Sequence, residues 1–263
     1  MSAADDPEAQ AEDVRSRLGL GANDPVNDLL DSVEDGLGIA VSVLDLGKEV
    51  AGAYLVRRDT PFILINGNDF KYRRRFTLAH ELGHHELGHA AVADPTGNIG
   101  GTSSEDPRER EANLFAGELL APASGVHALV ESMGHPPMTV NVAAHVAHEF
   151  GISIPAAFVR LSQAGLVTPE ARDRIQAALD RGDHRGVPER LGIRPFEDSL
   201  TRLGSESLPR LPAALHQNAL SAYRDGLIDK DRLAEVLGRS RDQLDKHLAV
   251  LGIGIDESEE EPW

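Results

Sequence analysis

The chain has 263 residues, 41% of them apolar, and a formal net charge of -17, enough apolar material for a packed core and a smaller second unit. It has no cysteine, which excludes disulfides, thiol catalysis and thiolate metal sites, and no run reaches the about eighteen apolar residues of a membrane helix. Ten acids against two arginines in residues 1–38, and five acids in 256–263, carry thirteen of the seventeen charges, so the field repels nucleic-acid phosphates at a distance.

In chain order, the first residues lack both the basic stretch and the apolar run of a secretory leader, and the expected location is cytoplasmic. Residues 1–22 read as a flexible acidic N-terminus in which 8–18 can enter a helix. Asp24 and Pro25 offer a cap followed by proline at the first helical position. They predict a helix from Val26 to about Asp35 with Val26, Leu29, Leu30 and Val33 on one side. Three runs rich in β-branched and apolar residues, 39–44, 52–57 and 61–66, predict a small antiparallel three-stranded sheet covered on one face by helices.

Residues 69–88 read as a helix with Asp69 near its start and a basic block, Arg73, Arg74 and Arg75, ahead of His80-Glu81-Leu82-Gly83-His84. Residues four apart share a helix face, about 6 Å apart along the axis, so His80 and His84 can converge on one Zn2+. Glu81 is then placed to act as a general base on water activated by the metal. The basic block reads either as a solvated face or as a source of one arginine that holds a carboxylate or a substrate. The pattern recurs at His85-Glu86-Leu87-Gly88-His89, but a third zinc histidine in metzincin spacing needs Gly at 87 and His at 90, where the chain has Leu87 and Ala90. His85 and His89 are therefore read as structural or surface residues.

Gly, Ser, Thr and Pro crowd residues 90–107, which read as a loop. Asp106 and Pro107 open the next helix, to Pro122, with Ala112, Phe115, Ala116, Leu119 and Leu120 as its buried stripe. A catalytic zinc commonly takes two His and one carboxylate and leaves a fourth position for water. Glu111, at the edge of the stripe, is the expected third ligand, with Glu109 and Glu118 as competitors, because a carboxylate there needs a partner or a metal. Asn113 is a candidate hydrogen-bond partner for a ligand or for the metal helix.

Two blocks now stand at a specific separation: Arg-Phe-Thr-Leu-Ala-His-Glu-Leu-Gly-His at 75–84, and Glu-x-x-Ala-Asn-x-Phe-Ala-x-x-Leu-Leu-x-Pro from Glu109 to Pro122. Together they resemble the ImmA/IrrE-type zinc metallopeptidases over roughly residues 25–165, with Ala121 where a methionine is usual. The resemblance implies an α+β, mainly helical, gluzincin-like core. It implies His80, His84 and Glu111 on zinc and Glu81 as base. It also implies a cytoplasmic protease whose substrate is a helix-turn-helix repressor and whose action derepresses stress, prophage or mobile-element genes.

Beyond 123 the chain reads as helical. Helices at 139–149 and 154–163, separated by Phe150 to Ser153, have a helix-turn-helix outline. The second offers little besides Arg160 to bases or phosphates, so 139–167 is expected to be a packing unit, and His145 and His148 ordinary histidines. The peptidase domain is placed at 23–167, a helix and linker at 168–208, a second small all-helical unit of helix-turn-helix character at 209–251 and an acidic tail at 252–263. Residues 213–250 hold six acids and six bases, so only weak DNA binding is expected of that unit. The competing functional reading is a non-hydrolytic regulatory or toxin–antitoxin-like protein that binds a partner protein or DNA through it.

Overall fold

Asp6 accepts a hydrogen bond from Glu8 N at 3.1 Å, and with Pro7 at the first position it starts a helix, α1 (Pro7–Arg17). The computed structural model describes residues 6–90, 92–95, 106–204 and 208–253, so residues 1–5 and the expected tail beyond 253 lie outside it. Ala11, Val14 and Arg15 are buried, and α1 packs against α4 (Pro107–Leu120). The Arg15 guanidinium donates to the carbonyls of Leu119, Gly21 and Asp24 at 2.8, 2.7 and 2.5 Å. Over residues 6–22 this corrects the expectation of a flexible N-terminus, with α1 falling where a helix over 8–18 was allowed. One buried cation satisfies carbonyls from two separate stretches, and leaving them unmet would be costly.

The next helix starts later than expected. Asp28, not Asp24, is its cap, accepting from Asp31 N at 3.3 Å, and α2 (Leu29–Asp31) runs into a π-helical turn, Ser32–Gly36. The other carboxylate oxygen of Asp28 accepts from Ser199 N and Oγ at 2.9 and 2.6 Å, while Asp24 turns back to Gly21 N. A tertiary contact selects between two local caps.

The sheet has four strands in the order β1-β3-β2-β4: β1 (Ala40–Leu44), β2 (Val50–Arg57), β3 (Thr60–Asn66) and β4 (Val92–Pro95). Strands β3, β2 and β4 are antiparallel, but β1 pairs with β3 in parallel, Val41 opposite Ile63. This corrects the purely antiparallel, three-stranded expectation. Arg58 and Asp59, both at positive φ, form the tight turn between β2 and β3, as two-residue hairpins require. The chain reaches β2 from β1 by passing the end of β3. Buried Asn66 fixes that crossing, donating from Nδ2 to the carbonyls of Gly47 and Val50 at 2.6 and 2.7 Å. The fourth strand falls inside the stretch expected to be a loop, of which 91 and 96–105 lie outside the described residues.

Helix α3 (Lys71–Glu86) packs on β2 and β3 and, with its other side, on α4. Its basic block is not a solvated face. Arg75 is fully buried and pairs with Asp198, also donating to the carbonyls of Gly151 and Val26 at 3.0 Å each. Arg74 donates to the carbonyl of Leu203, and Arg73 faces Asp69 at 3.4 Å. Helices α5 (Ala123–Ser132), α6 (Val140–Phe150) and α7 (Ile154–Gln163) complete the core, with Gly151 in the left-handed conformation between the last two and Ser153 as cap. Arg160 is buried on Glu118 and the carbonyl of Ala121, so it is spent inside the fold.

Residues 168–208, expected as a helix and a linker, hold that helix as α8 (Pro169–Asp180) and, where a linker was expected, a 3-10 turn (Asp183–Gly186), α9 (Val187–Leu191) and α10 (Ser199–Arg202); Ala171, Ile175 and Leu200 join the main core. The chain divides into two units, Met1–Leu208 and Pro209–Trp263. In the second, α11 (Ala213–Arg224), α12 (Lys230–Val236) and α13 (Arg241–Val250) enclose Leu220, Leu233, Leu244 and Leu248. Ser240 and Gln243 form a capping box at the start of α13. Among the described residues no single helix is long and apolar enough to cross a membrane.

Candidate metal centre

Two close approaches shape the site. Gly83 lets α4 lie against α3: a Cβ there would stand 3.0 Å from Phe115 Cδ1 and 3.3 Å from Ala112 Cα. On the opposite side Gly52 of β2 admits Glu81 and Thr77, since its Cβ would meet Glu81 Oε1 at 2.6 Å and Thr77 Cγ2 at 2.5 Å. Between these contacts His80, Glu81 and His84 are all buried.

His80 Nε2 and His84 Nε2 lie 3.1 Å apart. Glu109 closes the group, Oε2 at 3.4 Å from His80 Nε2 and Oε1 at 3.4 Å from His84 Nε2. One atom from each lies within 4.8 Å of the others, and all three residues are buried. Tetrahedral bonds of about 2.0–2.1 Å to zinc set ligand atoms about 3.3 Å apart, so these separations fit the ion. The tautomers fit it as well. Asn113 Oδ1 lies 3.1 Å from His80 Nδ1, and as a carbonyl oxygen it accepts a hydrogen bond from the N–H of that nitrogen. Neutral His80 then presents a bare Nε2 to the centre. Two imidazoles and one carboxylate form a donor set suited to zinc.

The sequence reading gave Glu111 the third position; among the described residues it is Glu109, and not Glu111, that the structure groups with the two histidines. Glu109 is three residues before Ala112 and seven before Ala116, in phase with the buried stripe, and it is the leading Glu of the second sequence block. That is the signal that finds it. Glu111 points instead to His89, with Oε2 at 3.2 Å from Nε2 and its side chain 43% exposed. Glu118 serves the fold, holding Arg160 and accepting from Ala123 N at 3.0 Å.

Sequence reasoning took His89 as structural or surface and did not foresee its contact with His84. Gly88, at φ +67°, ends α3 and turns the chain so that His89 N donates to the His84 carbonyl at 2.9 Å. Its Nδ1 then sits 2.8 Å from His84 Nδ1. Burial, followed by the neighbouring His84, lowers the His89 pKa, against the pull of Glu111. His85 is directed away and pairs with the Tyr54 hydroxyl at 2.9 Å. His145 and His148 stand on α6 and belong to no metal-competent cluster among the described residues. A cavity of about 580 Å³, lined by Phe76, Leu114, Val159 and others, shares Asn113 with the centre but lies between α3, α4 and α7.

Gly52→Ala is expected to push Glu81 off its place while sparing both histidines. Overpacking of this kind costs about 1–3 kcal/mol. Zinc uptake should persist and any hydrolytic activity should fall, measured side by side. Wild-type activity in the variant would show that the position of Glu81 against the sheet is immaterial.

Residues 34–162, from the π-helical turn to the end of α7, match the sequence profile of the Peptidase_M78 family, described as the IrrE N-terminal-like domain. The span contains the whole cluster. No curated protein matches the chain.

Proposed function

We propose that the IrrE-like domain at 34–162 is a zinc-dependent endopeptidase acting in the cytoplasm on a helix-turn-helix repressor, so that cleavage relieves repression of stress or mobile-element genes. The observation that carries this reading is the buried trio of His80, His84 and Glu109 at 3.1–3.4 Å, with Glu81 next to a ligand yet turned to the sheet. The substrate class rests on the family likeness alone.

The three side chains would hold the ion, which when bound supplies an acidified water and a polarised scissile carbonyl. Glu81 takes the proton of the attacking water on its carboxylate and returns it to the leaving amide nitrogen. Asn113 keeps His80 in the tautomer that leaves Nε2 bare. Burial at the α3–α4 interface keeps competing water from the ligand atoms.

The test is metal analysis beside a cleavage assay against helix-turn-helix repressors encoded near this gene. Wild type should hold about one zinc per chain and cut one of them. Glu109→Gln should leave the purified chain without zinc, whereas Glu111→Gln should still take up about one ion when zinc is saturating. If Glu109→Gln retains zinc and Glu111→Gln does not, the third ligand is misassigned. A zinc-loaded chain that binds a repressor tightly and leaves it intact would replace proteolysis by sequestration.

A further inference from the structure

The cavity of about 580 Å³ beside the metal centre lies within the first unit. Small residues leave it open. Gly117 and Ala156 bring little bulk to the space between α4 and α7. Arg160, the side chain nearest Gly117, is drawn away to Glu118 and the Ala121 carbonyl. Phe76, Leu114, Leu120 and Val159 supply an apolar wall. Three arginines line the cavity, Arg73, Arg110 and Arg160, and no carboxylate does, in a chain of net charge -17. Arg160 is committed to the fold. Arg73 faces Asp69 at 3.4 Å with its side chain 36% exposed, and Arg110 is exposed, so these two stand where the cavity meets solvent. The place is distinct from the metal centre. His80 Nε2 faces His84 and Glu109, whereas Nδ1, on the other side of the ring, faces Asn113 Oδ1. Asn113 lines the cavity, which therefore lies behind His80, across the ring from the ion's position.

We propose that this cavity is a binding site for a small amphipathic anion, an apolar chain ending in a carboxylate. Cavities of about 300–1,000 Å³ with apolar walls and a few placed polar groups are the usual form of small-molecule sites. The chain lies against Phe76, Leu114 and Val159, where it buries apolar surface and adds no polar atom for the wall to satisfy. The carboxylate sits at the rim on Arg110, with Arg73 beside it. A guanidinium offers a carboxylate two parallel donors, and the absence of acids from the wall spares the ligand like-charge repulsion. The proposal goes beyond the peptidase reading and does not depend on zinc.

The test is calorimetric titration of the full chain with hexanoate, octanoate and decanoate, and with octanol as the neutral counterpart of octanoate. The carboxylates should saturate at about one per chain and tighten about fourfold for each added CH2. Octanol should bind about 10- to 100-fold more weakly than octanoate, the usual worth of a charge-assisted hydrogen bond. Arg110→Gln should weaken octanoate by a similar factor and leave octanol unchanged. Val159→Trp, which fills the cavity, should abolish binding of both. No saturable binding, affinity that ignores chain length, octanol as tight as octanoate, or a folded Val159→Trp with wild-type affinity would each overturn the proposal. Should Val159→Trp fail to fold, Arg110→Gln and the chain-length series decide. Each titration is run on chelator-stripped and on zinc-loaded protein, and the affinities should agree. Binding seen only with zinc would make the carboxylate a ligand of the metal and overturn the cavity as its site. If the chain takes up no zinc, the metal reading fails while the stripped protein still judges the cavity.

Discussion

Glu81→Gln is expected to keep its fold and its zinc and to lose cleavage by about 100- to 10,000-fold, the usual worth of general acid–base help. The side chain is buried between α3 and β2, with Gly52 leaving room for its carboxylate. It adjoins His80 in sequence but is not one of the three groups that surround the cluster. Gln occupies nearly the same volume, so packing against Gly52 and Thr77 is preserved. What disappears is the capacity to take a proton from water and to pass one to the departing nitrogen. Zinc content, thermal melting and cleavage rate should therefore separate: the first two unchanged, the third collapsed. Loss of zinc along with activity would mean that Glu81 helps hold the ion. Undiminished cleavage would assign the base to another group.

The histidine pair was legible because a helix converts a spacing of four directly into proximity, whatever surrounds it. The third carboxylate was harder. Glu109 and Glu111 lie about 200° apart around α4, and a stripe read from Ala112 onward left both at its edge. Extending the stripe backward by three selects Glu109, which becomes buried only because Gly83 lets the helices approach. His89 was illegible for another reason: its ring returns to His84 through a glycine turn, and no helical period describes that. Strand positions were read well from β-branched runs, but β1 lies beside β3 because Asn66 fixes a crossing through contacts 16 and 19 residues away. The stretch 186–208 lacked periodicity and read as a linker. Its hold on the core includes one buried carboxylate on an arginine 123 residues earlier, beside Leu200 and the contact of Ser199 with Asp28, and local sequence carries no trace of such distant partners.

That carboxylate should be the most costly single deletion in the fold outside the site. Arg75 and Asp198 are both fully buried, and burial lowers the Arg75 pKa while the charge of Asp198 raises it again. The ring of Phe196 covers the guanidinium at 4.4 Å. Asp198→Ala leaves a buried cation with only the carbonyls of Gly151 and Val26. Breaking a buried pair from one side costs about 3–5 kcal/mol, so melting should fall by about 6–20 °C for a unit of this size. Part of the loss belongs to the capping box, since Asp198 also accepts from Thr201 N at 2.7 Å. Thr201→Val removes the side-chain half of that box alone and should cost about 1 kcal/mol. Replacing both partners, Arg75→Met with Asp198→Leu, removes the stranded charge and should recover much of the deficit. The order expected in melting temperature is wild type, then Thr201→Val and the double variant, with Asp198→Ala lowest. Because Arg75 lies five residues before His80 on the same helix, Asp198→Ala should also release zinc at lower temperature than wild type. A shift of under about 2 °C in Asp198→Ala would mean that the pair adds nothing net to the fold, and that α10 is held by Leu200 and the contact of Ser199 with Asp28 instead.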